Sequence, residues 1–108
     1  MRFNTALLHS AKLGDENTGA TLTPIYQSSA FYQPSAEQHE KLFHNKATGY
    51  SYTRINNPTI VAFEERMTNL EKGVGSVACS SGMAALTNAL LNIVGTGGEI
   101  VSSTGLYG

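Results

Sequence analysis

Val77-Ala78-Cys79-Ser80-Ser81-Gly82-Met83-Ala84-Ala85 reads as the end of a strand, a turn of small residues and the start of a helix. Upstream, Gly75-Ser76-Val77-Ala78-Cys79 is small and apolar, as a strand covered on both faces is. Downstream, Met83, Leu86, Leu90 and Ile93 recur at helical spacing. The first N–H groups of a helix lack internal partners, and the helix dipole is positive there. A turn without bulk at that place brings an anion, typically a phosphate, onto bare amides. Ser80 or Ser81 caps the helix, and Gly82 lets a ligand come close to the backbone. A plainer reading is an ordinary capped helix after a buried strand, since Ser-Ser-Gly is neither a Walker loop nor G-x-G-x-x-G.

Working outward, the helix after this turn is expected over 81–94. It is followed by a turn at Gly95-Thr96-Gly97-Gly98 and a second strand over 99–102. The strand over 76–79 lies beside it and parallel. Before the first strand, Asn57-Pro58 opens a helix: asparagine is a good N-cap and proline suits the first helical position. That helix is expected to run to about Lys72, with Gly73 as the residue that ends it. Its buried stripe is Ile60, Phe63, Met67 and Leu70, and Glu64, Glu65, Arg66 and Lys72 form its wet side. Helix–strand–helix–strand is the beginning of an α/β domain with a parallel sheet.

Ahead of Pro58, Tyr50-Ser51-Tyr52-Thr53-Arg54-Ile55-Asn56 is read as extended, because proline biases the preceding chain away from the helix. Tyr52 and Arg54 then project to one side. A phenol and a guanidinium on one face can grip an anion, although surface decoration explains the pair equally well. Earlier still, Asn4-Thr5-Ala6-Leu7-Leu8-His9 reads as a short capped helix, 10–19 as loop, and 21–31 as an extended arm interrupted by Pro24. Such an arm has little core of its own and needs a neighbour to lie on. A helix over 35–43 is capped by Ser35, with Gln38 in the capping-box position and Glu37 one turn from Lys41.

The chain has 108 residues, 41% hydrophobic and only 14% charged, with a net charge of −1. Typical domains carry about 25% charged residues, so much of this surface is expected to be covered by further chain or a partner subunit. There is no basic patch for nucleic acid or a membrane surface. No apolar run is long enough for a signal peptide or a membrane span, which makes the cytoplasm the default compartment. The single cysteine, Cys79, forms no internal disulfide and reads as a small buried hydrophobe. His9, His39 and His44 do not make a metal set. One βαβ unit cannot cover both faces of a parallel sheet, so the sequence is expected to be the front portion of a longer protein.

Taken together, Tyr52-Thr53-Arg54 with Asn57-Pro58-Thr59, Leu70-Glu71-Lys72-Gly73, Ser80-Ser81-Gly82-Met83-Ala84-Ala85 and Leu106-Tyr107-Gly108 resemble the Cys/Met-metabolism family of pyridoxal-phosphate enzymes. Within that family, Thr23-Pro24-Ile25-Tyr26-Gln27-Ser28-Ser29 and Ser35-Ala36-Glu37 look most like the O-acetylhomoserine sulfhydrylase branch. The resemblance implies the front part of a fold type I, aspartate-aminotransferase-like α/β enzyme. Residues 1–56 would be an N-terminal arm in contact with another subunit of a homo-oligomer, and 57–108 the start of the large cofactor-binding domain. It implies pyridoxal 5'-phosphate as cofactor and an amino acid as substrate. Ser81, Gly82 and Met83 would hold the cofactor phosphate, Tyr52 and Arg54 would reach the same phosphate from the neighbouring subunit, and Tyr107 would stack on the pyridine ring and assist proton transfer. Lys12, Lys41, Lys46 and Lys72 match no Schiff-base motif of the family.

Overall fold

The computed structural model describes residues 1–11 and 14–107. Lys12, and Gly108 of the Leu106-Tyr107-Gly108 motif, lie outside the described residues. Four helices follow in order: α1 (Phe3–His9), α2 (Ala36–Phe43), α3 (Pro58–Glu71) and α4 (Gly82–Ile93). The chain forms two compact units, Met1–Val77 and Ala78–Gly108.

In the first unit, α1 packs against α3, and the Asn69 side-chain amide donates to the Ser10 carbonyl. No side chain caps α1, which begins one residue before Asn4; Asn4 inside the helix cannot act as the expected cap. Residues 14–20 close as a small hairpin. Asp15 and Ala20 form an antiparallel bridge, and the Asp15 carboxylate accepts from the Asn17 amide at 3.2 Å and the Thr18 hydroxyl at 2.8 Å. Gly14 is required here: it has φ +80°, and a Cβ at that position would lie 2.3 Å from the Ala20 carbonyl oxygen.

Ser35 caps α2 as expected, its hydroxyl accepting from the Gln38 amide at 3.1 Å. The expected pair Glu37–Lys41 does not form among the described residues; Glu40 and His44 lie 3.9 Å apart instead. Both pairs are one helical turn apart and exposed, where such contacts contribute little and easily exchange partners.

Asn57 caps α3, accepting from the Thr59 amide at 2.9 Å, and Pro58 takes the first helical position. The helix ends differently from the expectation: Lys72, not Gly73, takes the left-handed conformation, with φ 54°. Gly73 donates to the Thr68 carbonyl at 2.9 Å, so glycine is the residue after the reversal. The buried stripe also differs. Ile60 and Phe63 are exposed, while Val61, Glu64 and Thr68 are half-covered. The cause is a polar seam: the Thr68 hydroxyl donates to the Glu64 carbonyl at 2.8 Å and lies 2.9 Å from the Ser76 hydroxyl. Hydroxyl-to-carbonyl bonding fixes that edge of α3 against the chain after it. Of the expected apolar stripe, Met67 and Leu70 are half-covered and Ile60 and Phe63 are left exposed, and no hydrophobic side chain is fully buried among the described residues.

In the second unit, α4 follows Ser81 and ends before Val94. Gly98 donates to the Gly95 carbonyl at 3.0 Å, closing the expected turn, with Gly97 at φ 82°. The expected strands over 76–79 and 99–102 form no ladder among the described residues; the bridges there are Asp15–Ala20 and Ala30–Tyr52. Val77 is 81% and Val101 99% exposed. A parallel strand pair is stable only with both faces covered, whereas 99–102 is exposed throughout and 76–79 is only partly covered. Among the described residues no helix is long and apolar enough to cross a membrane.

Candidate cofactor-binding site

The N-terminus of α4 is built by Ser81. Its backbone is extended (φ −155°, ψ 159°), and its hydroxyl accepts from the Ala84 amide at 3.1 Å. Ser81, rather than Ser80, is therefore the cap. Capping satisfies one of the leading amides, while Gly82 and Met83, the first two helical residues, are given no acceptor by the helix itself. Both are exposed, and the space a Cβ on Gly82 would occupy is open to 4 Å. Two N–H groups at the positive end of a 12-residue helix are thus left without a helical acceptor on exposed residues. Just before the turn, the Cys79 sulfur accepts from the Asn88 side-chain amide at 3.6 Å. Cys79 is half-buried, as a small residue held against α4.

Tyr52 and Arg54 lie in the first unit. They share a side, but not because the segment is extended. Ile55 and Asn56 both donate to the Tyr52 carbonyl, at 2.9 and 3.1 Å, so 52–55 is a turn. The turn carries the Arg54 guanidinium over the Tyr52 ring, 5.4 Å from its centroid. Proline bias acts on Asn57, its immediate neighbour, which is extended; it does not reach back to Tyr52. Both side chains remain exposed, Tyr52 at 42%.

The arm expected over 21–31 lies on this turn and on the start of α3. Thr59 accepts from the Tyr26 amide at 2.9 Å and donates to the Pro24 carbonyl at 3.1 Å. Phe31 donates to the Ser51 carbonyl and Thr53 to the Ser29 carbonyl, at 3.0 and 2.9 Å. The neighbour the arm needs is thus partly within its own chain. Tyr107 belongs to the second unit and is 82% exposed. The structure brings Tyr52 and Arg54 together, and separately Ser81, Gly82 and Met83. A cavity of about 360 Å³ beside Tyr26, Phe31, Tyr50 and Glu65 contains none of these residues. Burial, with help from the Glu65 charge, raises the Tyr50 pKa.

Sequence reasoning found Asn57 as a cap but missed its second bond set. It is the one buried polar residue among those described, at 3% exposure. Its amide donates to the Tyr26 carbonyl at 2.9 Å and to the Thr53 hydroxyl at 3.0 Å. No local pattern signals a bond across 31 residues.

Comparison with known proteins gives a consistent picture. A family model described as Cys/Met metabolism PLP-dependent enzyme matches residues 4–108. The O-acetyl-L-homoserine sulfhydrylase of Corynebacterium glutamicum is 47% identical over 98% of this chain and 24% of its own length. The cystathionine gamma-lyase of Bacillus subtilis is 43% identical over 100% of this chain and 26% of its own. The L-methionine gamma-lyase of Pseudomonas deceptionensis is 39% identical over 98% and 27%. Among solved structures, cystathionine gamma-lyase from Lactobacillus plantarum, complexed with L-serine, superposes with a TM-score of 0.69 at 37% identity, covering 83% of this chain and 21% of that one. The chain spans about a quarter of the length of the curated relatives it matches.

The described residues fit the phosphate end of pyridoxal phosphate. A phosphate ester needs donors it can approach, and the Gly82 turn supplies amides with no side chain in the way. An exposed guanidinium steadied by an aromatic ring is a second anion-seeking group. On the match that runs through residues 4–108, this chain belongs to the Cys/Met-metabolism family of pyridoxal-phosphate-dependent enzymes.

Proposed function

We propose that this chain is the phosphate-holding front of an enzyme that carries out γ-replacement on O-acetylhomoserine, using sulfide or a thiol to give homocysteine or methionine. The observation that carries the reading is the open pair of amides at Gly82 and Met83, with Ser81 capping behind them. Residues 1–56 act as the arm toward another subunit, and 57–108 begin the large α/β domain of a fold type I enzyme, with the segments at 76–79 and 99–102 as parallel strands once both faces are covered. The choice of reaction follows the relative with 47% identity, an O-acetyl-L-homoserine sulfhydrylase.

In this reading the Gly82 and Met83 amides and the Ser81 turn bind the phosphate and fix the cofactor's position. From the neighbouring subunit, Arg54 would add a positive charge and Tyr52 a hydroxyl donor to the same phosphate. Tyr107 would stack on the pyridine ring, and its hydroxyl would assist proton transfer. When bound, pyridoxal phosphate supplies the electron sink that lets acetate leave the γ-carbon and sulfur add there.

A second reading is a γ-lyase, supported by relatives of similar identity, 43% and 39%, named cystathionine gamma-lyase and L-methionine gamma-lyase. A reading of another class is a binding or interaction module without catalysis. Product analysis of the complete natural protein that carries this chain, loaded with cofactor, separates them. Homocysteine from O-acetylhomoserine and sulfide supports γ-replacement. Release of a 2-oxo acid from cystathionine or methionine, without that synthesis, replaces it with the lyase. No turnover of either kind favours the module.

A further inference from the structure

Thr53 stands between the two side chains of the proposed grip and faces away from them. Tyr52 and Arg54 are exposed, while Thr53 is half-buried. The Thr53 hydroxyl donates to the Ser28 carbonyl and accepts from the Asn57 side-chain amide at 3.0 Å. Its backbone amide donates to the Ser29 carbonyl at 2.9 Å. Asn57 is held in turn: its other bonds go to the Tyr26 carbonyl and the Thr59 amide, each at 2.9 Å. The turn carrying Tyr52 and Arg54 is therefore tied on its inner side to the arm and to the start of α3 through one hydroxyl and one carboxamide.

We propose that Thr53 and Asn57 are positioning residues for the phosphate grip: they touch no cofactor, but their bond fixes the turn that presents Arg54 and Tyr52. The inference rests on the reading of Arg54 and Tyr52 given above. A guanidinium on a loose turn must be ordered when it binds an anion, and ordering a mobile charged side chain weakens binding. On a turn already fixed, that cost has been met at folding. The carboxamide is the fitting group, because one end must accept from the helix amide while the other donates to two oxygens. Aspartate offers only acceptors when ionised, and leucine offers neither.

The test compares pyridoxal phosphate with pyridoxal, which lacks the phosphate, by equilibrium titration of the cofactor-free complete protein. Thr53→Val keeps the shape and removes the hydroxyl, and Thr53→Ser restores it. Asn57→Asp keeps the cap acceptor of α3 and removes the donor. Thr53→Val and Asn57→Asp are each expected to weaken pyridoxal phosphate about three- to tenfold, the worth of one hydrogen bond. Pyridoxal affinity should change less than about twofold, and Thr53→Ser should bind like the wild type, because only the phosphate contact is affected. Two results overturn the proposal: unchanged pyridoxal phosphate affinity in a folded Thr53→Val or Asn57→Asp variant, or an equal loss for both ligands, which marks general damage. Arg54→Ala keeps this separate from the parent reading. If Arg54→Ala weakens pyridoxal phosphate and the Thr53 variant does not, only the positioning role falls. If Arg54→Ala has no effect, the assignment of the grip falls. Should Thr53→Val not fold, the Asn57→Asp and Thr53→Ser pair decides.

Discussion

The Arg54 guanidinium carbon lies 5.4 Å from the centre of the Tyr52 ring, so the two side chains form one stacked unit. A cation over an exposed aromatic face contributes about 0.5–1 kcal/mol, enough to bias the side chain without locking it. In the complete protein, Arg54→Ala is expected to weaken retention of pyridoxal phosphate by about tenfold or more, since a charge-assisted hydrogen bond is lost. Tyr52→Leu should produce a smaller loss, and Tyr52→Phe should keep the stack while losing the hydroxyl. Cofactor release on dialysis, followed by absorbance, measures the order.

Lys72 carries a left-handed backbone, φ 54°, at the end of α3. For a residue with a Cβ that conformation costs roughly 1–2 kcal/mol. Lys72→Gly is therefore expected to stabilise the end of α3 by about 1 kcal/mol, and Lys72→Val to destabilise it. Amide hydrogen exchange over 70–73 reads the change directly: protection should rise in the glycine variant.

The Asp15 carboxyl titrates below its ordinary value of 3.8, chiefly because the Thr18 hydroxyl bonds the ionised form, with the Asn17 amide next. A depressed carboxyl contributes to stability above its unfolded pKa and loses that contribution as pH falls through the folded value. The 14–20 hairpin should thus be fully held at neutral pH and loosen only below pH 3.8. Carbon-13 NMR of the Asp15 carboxyl gives the midpoint. Thr18→Val should move it up toward 3.8, because the largest cause is removed.

Residues 1–108 alone are expected to bind phosphate weakly and to catalyse nothing. Two or three charge-assisted bonds, each worth about 1.5–3 kcal/mol, less an association cost of roughly 4 kcal/mol or more, leave an affinity no better than about millimolar. Titration with pyridoxal phosphate should shift the Ser81, Gly82 and Met83 amides. Homocysteine formation should stay at the free-cofactor background, and turnover above it would place the chemical centre within these residues. Absence of amide shifts at several millimolar, to order of magnitude, would remove the local phosphate site.

Helix positions and caps were legible because capping is local chemistry. Ser35, Asn57 and Ser81 each bond an amide two or three residues on, within the reach of a short motif. What was not legible depends on residues far along the chain. The segments at 76–79 and 99–102, expected as strands, form no ladder among the described residues, since a parallel pair needs neighbours on both faces. The seam Glu64–Thr68–Ser76 decides which side of α3 is covered, and nothing in the helix's own periodicity reveals it. Lys72 stands where glycine is the usual choice, so the glycine beside it drew the expectation one residue too far. Of the site, both halves could be read as anion-seeking, but the stacking of Arg54 on Tyr52 came from a turn that the proline rule had read as extended.

The exposure of Ile60 and Phe63 on α3 and the absence of fully buried hydrophobic side chains among the described residues have a calorimetric consequence. The heat-capacity increment of unfolding comes mainly from apolar surface newly exposed to water. A fold held by carboxamide, hydroxyl and backbone bonds exposes little such surface when it opens. Residues 1–108 alone should therefore give a broad, shallow melting transition with a small heat-capacity step, and a stability that changes little on cooling. Covering Phe63 and the α4 leucines is the event that would turn it into a sharply melting domain.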